Sequence, residues 1–93
     1  MGISEQIITK FRQSNRDFLI VRTNDNRIYD LNSALWKYNV YNQDKKQIEM
    51  HYHDNVVLIT GNNMIDLLIQ LANKTVKYLE QDQHGISKIE IIS

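Results

Sequence analysis

The chain has no cysteine and no proline. Without thiols there is no disulfide, no thiolate zinc site, no iron–sulfur cluster and no thiol nucleophile, so only histidines and carboxylates remain as metal ligands. Without proline, backbone N–H groups throughout the chain can enter ladders and helices, and no cis prolyl bond slows folding. Net charge is missing as well: 11 Lys and Arg offset 11 Asp and Glu. No whole-molecule field therefore draws in phosphate backbones or anionic lipid heads. No run of about 18 apolar residues is present to span a bilayer, and the first residues lack the basic start and apolar run of a signal peptide. Together these absences predict a cytoplasmic protein without membrane association.

Several chemical motifs are also absent. The strand-to-helix stretch Thr60, Gly61, Asn62, Asn63 lacks the Gly-Lys-Ser/Thr ending of a P-loop, and no GxGxxG dinucleotide fingerprint occurs. A plain helix cap accounts for those residues. No G-x-S-x-G elbow frames a serine nucleophile. No cofactor is implied, and an enzyme is the minority reading.

At 93 residues the chain is expected to form one small domain, residues 1–93. A core of this size gains much from a partner subunit, since small domains bury a modest share of their surface.

The apolar pattern predicts an α+β fold: a mostly antiparallel sheet of five to seven strands, with an N-terminal helix and a second, apolar helix packed on one face. Ser4 can cap the first helix, whose stripe is Ile7, Ile8 and Phe11. Residues 18–21 and 28–31 read as a hairpin around the Asn- and Asp-rich turn 23–27. Ala34, Trp36, Tyr38 and Val40 alternate with Leu35, Lys37, Asn39 and Tyr41, which places the first set toward the core. Ile48, Met50 and Tyr52 alternate with Gln47, Glu49, His51 and His53 in the next strand. The continuous run 56–59 predicts a central strand covered on both faces. The helix expected at residues 63–73 is apolar nearly all round, which predicts burial on two sides. Residues 75–80 and 87–92 read as two last strands.

Three sets of side chains invite functional readings. Leu35 and Tyr41 lie on the polar side of their strand beside Trp36, and large apolar groups dominate interfaces. They support the first reading, a non-enzymatic interaction or regulatory module that binds another protein or itself as a homodimer. Arg12, Arg16, Arg22 and Arg27, with Trp36 or Tyr41 as stacking groups, support a second, nucleic-acid binding. Glu49, His51 and His53 share one strand face at i, i+2 spacing and support a third, a histidine-metal enzyme. The plainer account of that trio is the solvated side of a half-buried strand.

Overall fold

The computed structural model describes residues 17–93. The helix expected near the N-terminus, and Arg12 and Arg16 with it, lie outside the described residues. The first strand, β1 (Phe18–Arg22), is the apolar run of the hairpin, and its first four residues are buried on both faces. Thr23 and Arg27 close the turn, the Thr23 N–H donating to the Arg27 carbonyl at 2.9 Å, with Asn26 in the left-handed region that asparagine tolerates. The chain returns as β2 (Ile28–Asn32), antiparallel to β1.

Here the fold departs from a single sheet. Asn32 accepts a hydrogen bond from the Ala34 N–H at 3.0 Å and caps a 3-10 turn, Ser33–Leu35, that redirects the chain away from β1 and β2. The next strands, β3 (Trp36–Asn42), β4 (Gln47–Tyr52) and β5 (Val56–Gly61), form an antiparallel meander. After α1 (Met64–Ala72) the short β6 (Tyr78–Leu79) pairs with β1 in parallel, and β7 (Ile86–Ile92) pairs with β5. Seven strands thus make two sheets, ordered β2-β1-β6 and β3-β4-β5-β7. The expected single sheet with two helices on one face is corrected accordingly: the described residues hold two mostly antiparallel sheets and one α-helix.

Two burial expectations change for the same reason. The strand covered on both faces is β1; in β5 only alternate residues are buried, because Val56, Leu58 and Thr60 turn to the outer side of the larger sheet. Helix α1 buries one stripe, Met64, Leu67 and Leu71, and leaves Ile65 and Ile69 exposed. Of the two residues expected to cap it, Asn62 or Asn63, the cap position falls to Asn63, which takes a left-handed conformation and makes no side-chain cap bond. Thr75 finishes the helix instead of starting a strand, since its N–H and Oγ1 both donate to the Gln70 carbonyl.

One apolar cluster joins the two sheets and the helix. Leu19, Val21, Leu31 and Leu79 come from the smaller sheet, Ile48, Met50, Val57, Ile59 and Ile89 from the larger, and Met64, Leu67 and Leu71 from α1. A second, smaller cluster, Phe18, Ile20 and Tyr78, lies on the other side of β1. Gly61 and Gly85 meet where β5 and β7 slip in register: a Cβ on Gly61 would stand 2.2 Å from the Gly85 carbonyl oxygen. Only glycine permits this approach of backbones.

The sheets are also tied by hydrogen bonds. Asn24, in the β1–β2 turn, donates its N–H to the Ile89 carbonyl at 3.2 Å, and its Oδ1 accepts from the Ile89 N–H at 2.7 Å. This is the pairing a neighbouring strand would make, delivered by one residue. Ile89 is fully buried, so removing the acceptor strands a buried donor. Asn24→Ala is expected to cost about 1–3 kcal/mol in urea denaturation, whereas Asn24→Asp, which keeps the acceptor, recovers most of that loss at neutral pH.

Burial also acts on Tyr52, whose phenol is pushed up from 10.0 to about 12. The unfolded chain ionises this group first, so its contribution is intact below pH 10 and disappears as pH rises to about 12. Thermal melts across that window are expected to show falling stability, with a shallower fall in Tyr52→Phe.

Candidate interaction surface on the edge of the larger sheet

The outer side of the larger sheet is built by strict cross-strand pairing. Tyr38 stands opposite His51, His51 opposite Val56, and Val56 opposite Ile92. The next row is Val40, Glu49, Leu58 and Glu90. Within these rows Glu49 Oε1 lies 3.0 Å from His51 Nε2, and the His51 ring stacks on Tyr38 with centroids 4.6 Å apart. Lys88 Nζ pairs with Glu90 at 3.5 Å. Charges on this face are therefore answered by neighbours within the chain, and the apolar groups are left as its distinguishing feature.

Tyr38 and Val40 reach that face because of one extra residue. Trp36 pairs with Tyr52 and Tyr38 with His51, so Lys37 is inserted without a partner. An inserted residue reverses the parity of everything after it. Alternation from Ala34 sends Tyr38 and Val40 inward; past the bulge they are instead 53% and 39% exposed. Asn39 and Tyr41 turn toward the core side, and Tyr41 packs against the main cluster. The signal available in the sequence was Tyr41 itself, an aromatic on the nominally polar side of its strand.

The other candidates fall as follows. Leu35, in the 3-10 turn, is 48% exposed and accepts the His53 N–H at its carbonyl, 2.8 Å. Trp36 is half-buried against the core, and its Nε1 donates to Asn39 Oδ1 at 2.8 Å. Arg22 is held by Asn26, with Nε 2.9 Å from its Oδ1, and lies 3.6 Å from Glu80. Arg27 pairs with Asp25 at 3.4 Å. Asp25 in turn is held below the usual carboxylate range by a hydrogen bond from Thr23, aided by Arg27. Both arginines sit on the β1–β2 hairpin of the smaller sheet, and the half-buried Trp36 and Tyr41 belong to β3 of the larger.

Glu49 and His51 are brought together, but His53 lies beyond the end of β4, exposed and 3.7 Å from Asp54. Among the described residues no three histidine, aspartate or glutamate side chains form a group that could hold a metal ion. No described helix is long and apolar enough to cross a membrane. No family model matches the chain, nor does any curated protein or solved structure.

Zinc offers a direct check on the histidine strand. A site filled at about 100 times its dissociation constant would add roughly 2.7 kcal/mol, on the order of 10–20 °C in a domain of this size. Added zinc is expected to shift the melting temperature of the parent and of the His51→Ala/His53→Ala double variant by the same small amount. A rise confined to the parent would mark a real site.

Proposed function

We propose that the protein is a cytoplasmic, non-enzymatic interaction module that binds another polypeptide through β3 and the outer face beside it. The observation that carries this is the succession of exposed apolar side chains at one sheet edge, Leu35 in the turn that leads into β3 and Tyr38 and Val40 on β3 itself. Val56 and Leu58 continue the apolar surface across the sheet, and Ile92 ends it. Aromatic and aliphatic groups grouped this way supply the desolvated centre of a typical interface, while rim charges supply little of the energy. The contact of Glu49 with His51 and the ion pair of Lys88 with Glu90 give the charged groups of this face partners within the chain, which favours an apolar contact over an electrostatic one. The cysteine-free composition agrees with a reducing compartment.

Native mass spectrometry of the protein after gentle lysis tests the reading. The expected spectrum contains the chain bound to a second polypeptide, with little change between about 50 and 200 mM salt, a range over which a phosphate-binding surface loses affinity steeply. Leu35→Asp with Tyr38→Asp, both at exposed positions, is expected to return the bare chain. A bare parent at every concentration, or a nucleic-acid adduct, overturns the proposal.

A further inference from the structure

The two edges of the larger sheet are not equivalent. Lys46 and Tyr52 use their backbone groups toward β5, as the bonds Gly61 N–H to Lys46 carbonyl and Tyr52 N–H to Asn55 carbonyl show. Alternation then turns Gln47, Glu49 and His51 toward β3, where their partners are Asn42, Val40 and Tyr38. Asn39 and Tyr41 are left with N–H and C=O directed away from the sheet. Among the described residues no hydrogen bond reaches those backbone groups. On the opposite edge, Ile89 of β7 is already engaged by Asn24.

We propose that the open edge of β3 pairs with β3 of a second copy of this chain, antiparallel about a two-fold axis at Val40, to give one continuous eight-stranded sheet. This rests on the reading of β3 as the interaction surface and names its occupant.

Three features select this register. The regular part of β3 runs from Tyr38 to Asn42, because the extra residue Lys37 breaks the ladder before it. Centring on Val40 pairs that stretch completely: Asn39 exchanges both backbone bonds with Tyr41 of the other copy, twice by symmetry. On the outer face Val40 meets Val40, with each Tyr38 diagonal to it, a contact between aromatic and β-branched side chains that stabilises sheets. Charge agrees as well. Lys37 is the one charged residue of β3, and this register holds the two copies of it about 20 Å apart. Each then lies at the level of Gln43 and Asp44 of the other chain, so lysine approaches a turn bearing a carboxylate and not its own twin. Five paired residues per copy bury less than the roughly 1,200 Å² of a standard interface, which makes the dimer weak and dependent on concentration.

The absence of native cysteine makes a clean test. Val40 on the axis would occupy a non-hydrogen-bonded pair, with Cα atoms about 4.5 Å apart, inside the range a disulfide can bridge. Val40→Cys under mild oxidant is expected to form a covalent dimer at least about tenfold faster than an exposed control, Asp66→Cys, on α1. Sedimentation equilibrium should show a reversible dimer in the parent. Val40→Lys should weaken it about tenfold or more without lowering the melting temperature, and mixing it with Val40→Glu should restore a heterodimer.

Cross-linking no faster than the control, or undiminished association of Val40→Lys, overturns the edge pairing. A parent that sediments as a monomer throughout overturns the second copy as occupant. If native spectra then still show a different polypeptide lost on Leu35→Asp/Tyr38→Asp, the interaction module stands and only its partner changes; if they show none, both fall.

Discussion

The constraint on which the rest of this structure depends is the burial of β1. A strand apolar on both sides needs cover on both faces and hydrogen-bonding partners on both edges, or its backbone groups are left unpaired away from water. One edge is met at once by β2 through a tight turn. The other is met by β6, whose parallel direction requires a crossover, and the whole of β3, β4, β5 and α1 is that crossover. Three of the four strands of the larger sheet are thus inserted between β2 and β6, the two neighbours of β1 in the smaller one, and β7 completes the larger sheet after β6. Its packing against Leu19, Val21 and Leu79 is what keeps those neighbours together.

Two local irregularities tune the larger sheet. The extra residue Lys37 inverts the faces of β3, moving Tyr38 and Val40 outward and Tyr41 inward. The slip at Gly61, against Gly85, lets β5 leave the ladder and enter the turn before α1. Neither is a defect of pairing: the first sets which side chains the surface presents, and the second sets where the helix begins. Bulges at sheet margins commonly re-aim side chains in this way.

Much of the strand layout was legible in local pattern. Alternation in residues 47–52 marks β4 correctly because its inner residues Ile48, Met50 and Tyr52 all face one core. Pattern failed where long-range partners decide. Nothing in the run Phe18 to Val21 distinguishes it from residues 56–59, yet only the former acquires cover on both faces, since only it lies at the centre of a sheet with apolar clusters on each side. The division into two sheets depends on the capped turn after Asn32 and on the distant β6, neither visible as periodicity. Of the surface residues chosen from sequence, Leu35 is exposed, while Trp36 and Tyr41 pack partly against the core. Tyr38 and Val40 escaped notice because a parity count cannot register an inserted residue.

Asn24 does more than join two sheets. Its backbone N–H and side-chain Oδ1 take up the outward backbone groups of Ile89, at the mid-point of β7, so this edge is a poorer template for a further strand than the edge of β3. Structures with two open ends can add copies without limit and become fibres; a sheet capped on one side can be extended once and then stops. One residue thus disfavours growth of this sheet from β7, through the same two bonds that tie the two sheets of the domain together.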